Sequence, residues 1–472
     1  MAPPFRTPGD VSAWPENRSS AIPSLRRFYG VEEALPWWLA FTLGIQHLLG
    51  MFVGIVTPPL IVGAALSLGI EQVAYLVSMS LFTSGVTTLL QVHKWGPLGS
   101  GLLSVTGPSF AFVPLAISTG KVGGLDLVFG LALAGAFMPV LVAFSLPLAR
   151  KLFPPLVTGI AIALIGFTLI QVGFLQMAGG PGSADFGSLQ NFGLGALVVA
   201  TIVAVQAWGR GFWRNISIAL GLLVGYVVAA LQGRIDFAPV QDSPWLHVPT
   251  PLIYGLEFQA AYLLPWLVAY LLVALECIGD LTATSSVSRE PVEGPVFEGR
   301  LRGGLLADGL GCAFCSLFHA LPKTTFAQNN GIIALTGVAS RRVGIATALM
   351  LIGCGLFPKL AAWISVIPRP VLGGATFLMF STVAAAGLQI AGRNGFSGRN
   401  QFILAVSLGL GVGVHSSPEA LQGLHQGLAN WLPHSLAEAS RVLLESGMAL
   451  GTLAAAVLNL LLKDWEQEQP EH

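Results

Sequence analysis

The feature of this sequence that most restricts its fold is a succession of about fourteen apolar segments. A membrane-spanning helix needs about 20 predominantly apolar residues. The chain is 54% hydrophobic and only 10% charged, whereas soluble domains carry about 25% charged residues. We therefore predict an all-α polytopic membrane protein. The segments lie at about 33–55 (running on to about 68), 71–93, 104–119, 124–149, 154–174, 189–209, 212–232, 260–287, 301–319, 324–338, 343–364, 370–390, 400–416 and 443–463.

The positive charges predict an orientation for these segments. Cytoplasmic loops of membrane proteins carry an excess of Lys and Arg. With the N-terminus inside and the segments alternating, most of the 23 Lys and Arg fall inside. The asymmetry predicts that both termini are cytoplasmic. The residues that fall outside are Lys121, Arg234, Lys323, Lys359, Arg369 and Arg441.

Two apolar segments, the third and the tenth, are poorly suited to be continuous helices. Ser104–Val113 reads SVTGPSFAFV, and Pro322–Gly331 reads PKTTFAQNNG. Both combine proline with β-branched and aromatic residues, which disfavour a helix interior and suit a strand. We predict a short β-like break in each. The breaks also resemble each other, because Ser-Phe-Ala at 109–111 matches Thr-Phe-Ala at 325–327.

A second match indicates an internal repeat. Phe153–Val157 opens the fifth segment and Ile367–Val371 opens the twelfth, at nearly the same spacing from the two breaks. We infer two repeats of seven segments, and an odd number of spans makes the second copy run inverted. Broken segments at matching positions of inverted repeats are typical of the midplane binding site of a secondary transporter.

Three carboxylates lie in otherwise apolar segments. Glu276 and Asp280 are four residues apart and share a helix face, and Asp308 lies in the next segment. A charge at the centre of a spanning helix costs about 2.5–3.5 kcal/mol, and no Lys or Arg lies within a turn of Glu276. These residues suit proton coupling, or they hydrogen-bond helices together. His47, in the first segment, is either a proton site or a structural hydrogen-bond donor.

The second break carries the groups that would recognise a ligand. The Gln328 carboxamide can donate and accept side by side, and the Glu276 carboxylate can accept from N–H groups. Phe110 and Phe326 offer flat apolar faces, or they only pack the protein interior. Together these groups suit a small planar heterocycle with several N–H and C=O groups.

Other functional classes have little support in the sequence. The glycine-rich runs lack the lysine of a phosphate-binding loop, and Cys277, Cys312, Cys315 and Cys354 suit helix packing. We find no metal-ligand cluster and no grouped nucleophile and base, so we predict neither an enzyme nor a cofactor. A net charge of zero gives no indication of nucleic-acid binding.

The segment after the second break identifies a family. It reads Gln328-Asn329-Asn330-Gly331, followed by Thr336. This motif resembles the signature of the nucleobase–ascorbate transporter family, and the resemblance extends over nearly the whole chain. The Gln at 328 is most similar to the bacterial xanthine and uric acid permeases.

The resemblance implies roles for individual residues. Residues matching Glu276 and Gln328 hold the base, those matching Phe110 and Phe326 flank its ring, and the Ala327 backbone contributes. The residues expected to support transport are Asp280, Asp308, Asn329, His47, Ser109, Gly331 and Thr336.

The resemblance also implies a domain organisation, in which a substrate-carrying core domain (spans 1–4 and 8–11) moves against a gate domain (spans 5–7 and 12–14). The expected boundaries are a cytosolic tail at 1–32, core parts at 33–149 and 259–365, gate parts at 150–233 and 366–464, and a second cytosolic tail at 465–472.

The function implied is import of a purine, xanthine or uric acid or both, by proton symport in the inner membrane of a bacterium. Sodium is the less favoured coupling ion, and a homodimer formed through the gate domain is expected. A permease for uracil or another nucleobase is the alternative within the family. A sulfate- or bicarbonate-type anion transporter is the alternative of another class, and carboxylates 276 and 280 in one cavity argue against it.

Overall fold

The computed structural model describes residues 28–146, 154–393, 395–431, 444 and 446–462. Residues 1–27 of the predicted N-terminal tail, Phe153 and the whole predicted C-terminal tail lie outside the described residues. The elements are α1 (Trp37–Ala65), α2 (Ile70–Val92), β1 (Thr106–Pro108), α3 (Phe112–Gly135), α4 (Met138–Phe144), α5 (Pro155–Met177), α6 (Leu189–Trp208), α7 (Phe212–Asn215), α8 (Ser217–Leu231), α9 (Ala238–Asp242), α10 (Leu263–Val287), α11 (Gly294–Leu317), β2 (Lys323–Thr325), α12 (Gln328–Thr336), α13 (Arg341–Leu356), α14 (Pro358–Ser365), α15 (Arg369–Ala391), α16 (Gly398–Ser416), α17 (Gln422–Trp431) and α18 (Gly447–Leu461), with short 3₁₀ turns at Ala260–Tyr262 and Pro418–Leu421.

The polytopic helical architecture predicted from the apolar segments is confirmed. Within the described part of the chain, seven helical stretches, one of them α3 with α4, are long and apolar enough to cross a membrane. Helices α13 and α14 form a further apolar pair, bent by 78°. The other predicted segments appear as helices that are shorter or less apolar, or as a strand followed by a helix. Each of the fourteen apolar segments thus corresponds to an element.

The two predicted breaks are confirmed as short strands that pair with each other. Strands β1 and β2 are antiparallel, with Thr106 opposite Thr325, Gly107 opposite Thr324 and Pro108 opposite Lys323. All six residues are buried. Pairing satisfies backbone groups that would otherwise be unpaired at this depth, which is the condition for non-helical backbone inside a membrane protein.

The third and fourth predicted segments join in one element. Helix α3 runs from Phe112 to Gly135, but Gly124 interrupts it with φ 77° and ψ −168°. This combination of φ and ψ is essentially restricted to glycine, so the chain can change direction here. The part of α3 before Gly124 completes the third segment, and the part after it begins the fourth.

The helices form two groups by their packing. In the first group α13 packs on α1 and α2, α11 on α2 and α4, and α10 on α3; in the second, α15 packs on α5, α6 and α8, and α18 on α5 and α16. The groups meet where α10 packs on α5 and α1 on α8. This division follows the expected core and gate segments, but their motion as separate bodies stays a prediction.

Close approach of α5 and α15 depends on glycine. A Cβ added at Gly166 would lie 2.4 Å from the backbone nitrogen of Ala384, and one at Gly387 would lie 2.2 Å from that of Ala163. Small residues at such contacts allow helix backbones to pack directly in a membrane. These two helices begin at the matched proline motifs of the two repeats.

One placement in the predicted orientation was wrong. Lys323 was assigned to an outer loop, but it belongs to β2 and is 1% exposed. The alternation of the spans places it outside, because it lies between the apolar segments 301–319 and 324–338. The pairing of β2 with β1 instead draws it into the protein interior.

Candidate functional site

The site is organised by the two paired strands. A helix begins shortly after each strand, α3 at Phe112 and α12 at Gln328. Because β1 and β2 are antiparallel, the two helix N-termini approach the crossing from opposite sides. No hydrogen bond from the backbone N–H groups of Ala327 or Gln328 is found among the described residues. Free N–H groups at a helix start favour a ligand acceptor.

Glu276 and Gln328 present polar groups that the described protein leaves unpaired. Glu276 lies in α10 and Gln328 begins α12, and these helices pack together. The Glu276 side chain is partly buried and the Gln328 side chain is exposed. Neither makes a hydrogen bond or ion pair with any residue the structure describes. Gly279 and Gly331, on the same helices, are also exposed, so this face is open.

Asp280 and Asp308 are placed behind the open face. The Thr325 hydroxyl donates to Asp280 Oδ2 at 3.2 Å, which connects β2 to α10. Asp308, in α11, is 5% exposed, and its Oδ2 has no partner among the described residues. Asp280 lies one turn after Glu276 on α10, and α11, which carries Asp308, packs on α10. The three predicted carboxylates therefore lie on two packed helices.

His47 and Asn329 connect three separate segments. His47 Nδ1 lies 2.8 Å from Asn329 Oδ1, and Asn329 Nδ2 donates to the Leu103 carbonyl at 2.5 Å. Since Oδ1 can only accept, Nδ1 of the imidazole is the donor. The neighbouring Asn330 Oδ1 lies 2.6 Å from the Thr284 hydroxyl of α10. Helix α12 is thus fixed to α1, to α10 and to the chain before β1.

The two aromatic residues have different surroundings. Phe110 is partly buried and meets Phe380 of α15 edge-on, with ring centroids 5.1 Å apart. Phe326 is 8% exposed, and its ring lies where a Cβ on Gly107 or Gly54 would be, at 2.5 and 3.2 Å. Phe110 therefore lies at the junction of the two helix groups. Phe326 packs inside the first group, and the structure does not bring it to the open face.

The remaining predicted residues shape the ends of the helices. Ser109 Oγ accepts from the Ala111 N–H at 3.3 Å just before α3. Gly331 is exposed on α12 without a side chain. The Thr336 hydroxyl donates to the Ile332 carbonyl at 2.8 Å and accepts from the Val338 N–H at 3.3 Å where α12 ends. These contacts are local and support the helix termini.

Three residues near the site have contacts that sequence reasoning did not anticipate: Thr325 on Asp280, Phe380 on Phe110, and the buried Lys323. In the sequence, Thr325 is marked only by its place in the repeated triplet at 325–327. Phe380 carried no local signal, because it lies in an ordinary apolar segment. The lysine was detectable as the one basic residue inside the second break.

The fold is that of a multi-pass membrane protein whose candidate site lies at two broken spans. A family model described as "Permease family" matches residues 39–420 of the chain. Over 446 residues the chain is 42% identical to "Xanthine permease XanQ" of Escherichia coli (strain K12), covering 92% of this chain and 93% of that protein. It is 40% identical over 455 residues to "Xanthine permease XanP" of the same strain, covering 93% and 95%.

Among solved structures, the transmembrane domain of a cyanobacterium bicarbonate transporter, BicA, is similar with a TM-score of 0.54 and 16% identity. The match covers 91% of this chain and 99% of that one. At this identity the likeness concerns the fold alone, which has the inverted repeats predicted from the two breaks. The chain belongs to the permease family of nucleobase–ascorbate transporters, and it is a transporter and not an enzyme.

Proposed function

We propose that this protein imports a purine nucleobase, xanthine or uric acid or both, by symport with protons. The observation that carries the proposal is that Glu276 and Gln328, on the open face of α10 and α12, have no hydrogen-bond partner among the described residues. A carboxylate and a carboxamide together match a planar ring that presents N–H beside C=O. Similarity to two xanthine permeases supports this chemistry.

In the bound state Glu276 accepts from ring N–H groups and Gln328 pairs with an N–H/C=O edge. The free N–H groups of Ala327 and Gln328 donate to a ring carbonyl. Phe110 covers one face of the ring. Phe326 reaches the other face only if its ring leaves Gly107, so we assign it a supporting role.

Proton coupling is supported by the three carboxyl groups, which no basic residue of the described part pairs with. An ionised carboxylate in an apolar interior is costly, so binding a proton together with substrate offsets that cost before the loaded site moves. Sodium is the less favoured alternative as coupling ion.

The two helix groups support alternating access as the mode of transport. In this proposal the first group, with the site, moves against the second, and Phe110 separates from Phe380 on each cycle. We expect a homodimer formed through the second group, in the inner membrane of a bacterium, with both termini cytoplasmic. The excess of Lys and Arg on the predicted cytoplasmic side supports this orientation. Lys323 is left out of that count because it is buried in β2.

Uptake of radiolabelled bases tests the proposal. Cells lacking their own purine permeases would express the chain and receive labelled xanthine, with unlabelled urate, hypoxanthine, guanine, uracil, sulfate and bicarbonate as competitors. We expect saturable xanthine uptake that urate inhibits and sulfate and bicarbonate do not. Strong inhibition by uracil alone would favour the pyrimidine alternative, and inhibition by the inorganic anions would contradict a nucleobase site.

A further inference from the structure

A lysine is enclosed beside the strand crossing. Lys323 is 1% exposed, and its Nζ donates to the Ser80 carbonyl at 2.9 Å and to Ser84 Oγ at 2.7 Å. The ion pairs found among the described residues do not include it. A buried ammonium without a carboxylate partner is costly, so its retention requires an explanation beyond packing.

The oxygens around this ammonium are arranged in advance. The Ser84 hydroxyl donates to the Ser80 carbonyl at 2.7 Å, which turns the lone pairs of Ser84 Oγ towards Lys323. The Ser80 hydroxyl donates to the Ile55 carbonyl at 2.8 Å and fixes this part of α2 against α1. On the other side, Cys312 Sγ lies 3.3 Å from the Lys323 backbone nitrogen and 3.2 Å from its carbonyl oxygen.

Carbonyl and hydroxyl oxygens are the ligands that a small hard cation prefers. We propose that α2 and β2 form a monovalent-cation site, and that the Lys323 ammonium occupies it permanently in place of a soluble cation such as sodium or ammonium. The lysine is a tethered cation, and the site needs no ion from solution.

The tethered cation acts on the transport site through β2. Lys323 begins this strand, Thr325 ends it on Asp280, and Gln328 follows three residues later. Lys323 is therefore a positioning residue for Asp280 and Gln328. This part of the inference rests on the proposed function, whereas the existence of the cation site does not.

Chemical rescue tests the site. Lys323→Ala removes the ammonium and leaves space beside Ser80 and Ser84, whereas Lys323→Met removes the charge and keeps the bulk. Thermal unfolding of each purified variant would be compared in ammonium chloride and in N-methylglucamine chloride at equal ionic strength, since the second cation is too large to enter. Lys121→Ala, which removes an exposed lysine of α3, is the matched control.

We expect ammonium to raise the melting temperature of Lys323→Ala and to leave the wild type, Lys323→Met and Lys121→Ala unchanged. Adding Ser84→Ala to Lys323→Ala should weaken the rescue, because one of the oxygens is lost. An equal response of Lys323→Ala and Lys121→Ala, or no response in either, would overturn the cation site.

Uptake of labelled xanthine tests the effect on transport. A charge-assisted hydrogen bond contributes enough to change an equilibrium by about tenfold, so Lys323→Met should lose about that much uptake. Ammonium should restore uptake in Lys323→Ala only. Wild-type uptake by Lys323→Met contradicts the positioning role, and this variant decides the question if Lys323→Ala does not fold. Absent uptake in the wild type contradicts the proposed function, while the melting data still decide the cation site.

Discussion

The His47 imidazole donates a hydrogen bond of 2.8 Å to the Asn329 carboxamide, and this contact joins α1 to α12. The side chains are 1% and 0% exposed, so water cannot replace either partner. Asn329 also holds the Leu103 carbonyl ahead of β1. One carboxamide thereby fixes the start of α12, which carries Gln328, relative to both broken segments. A buried hydrogen bond to an uncharged carboxamide favours a structural function for His47 over that of a proton site.

We predict that Asn329→Ala destabilises the protein and reduces transport. The substitution leaves His47 Nδ1 and the Leu103 carbonyl without partners, and each unsatisfied buried group costs about 1–3 kcal/mol. Thermal unfolding of the purified protein and labelled xanthine uptake are the measurements.

The adjacent Asn330→Ala is a suitable comparison for that variant. Asn330 is partly buried, and its partner Thr284 also lies 2.8 Å from the Asp280 carbonyl. Asn330→Ala should therefore lower the melting temperature and the uptake less than Asn329→Ala does. If the two variants unfold at the same temperature, the His47–Asn329 contact does not have the structural weight assigned to it.

The packing of α5 on α15 gives a prediction about stability alone. Gly166→Ala places a Cβ 2.4 Å from the Ala384 nitrogen, and overpacking of this kind costs about 1–3 kcal/mol. Gly193→Ala, at an exposed position of α6 with nothing within 4 Å of the added Cβ, should be neutral or slightly stabilising because Ala favours helix. Equal melting temperatures of the two variants would contradict direct backbone contact between α5 and α15.

Glu276→Gln should abolish substrate accumulation and leave the protein folded. Neutralising a carboxylate that has no partner removes a desolvation cost, so the free energy of unfolding should not fall. Uptake and melting temperature would be measured together, with Glu298→Gln on the exposed face of α11 as the control. Accumulation at the wild-type level in Glu276→Gln would remove this residue from the site.

Proton coupling predicts that a protonophore abolishes accumulation in energised cells. The reason is that the substrate moves together with a proton, which the carboxylates of Glu276, Asp280 and Asp308 bind. Uptake would be followed at fixed proton-motive force while the sodium gradient is varied, and we expect no change. Accumulation that instead follows the sodium gradient contradicts proton coupling.

Much of the fold could be predicted because the bilayer restricts the possible structures. Apolar length located the spans, and proline with β-branched residues located both strands to within a few residues. The matching triplets at 109–111 and 325–327 predicted that the two breaks occupy equivalent positions in two repeats. In the structure the two breaks also pair with each other, as β1 and β2. Local composition carries this information because unpaired backbone is not tolerated at that depth.

The contacts made through tertiary structure could not be predicted in the same way. The alternation of the spans places Lys323 outside, and nothing local indicates that Ser80 and Ser84 supply its hydrogen bonds. The packing of Phe326 on Gly107, and not on the open face, depends on how the strands cross. The polar residues of the candidate site could be named from the sequence. The packing partners of Phe110 and Phe326 could not.

Competition binding to purified wild type and Gln328→Glu tests the central claim most directly. A carboxamide pairs with an N–H/C=O edge, whereas a carboxylate only accepts and would face the ligand carbonyl with a second acceptor. An unsatisfied buried polar group costs about 1–3 kcal/mol, or roughly a ten- to hundredfold loss of affinity. We predict that xanthine and urate binding weaken by at least about tenfold and uracil binding by less. A change by one common factor for all ligands would mean that Gln328 does not recognise the base, and would contradict the proposed site.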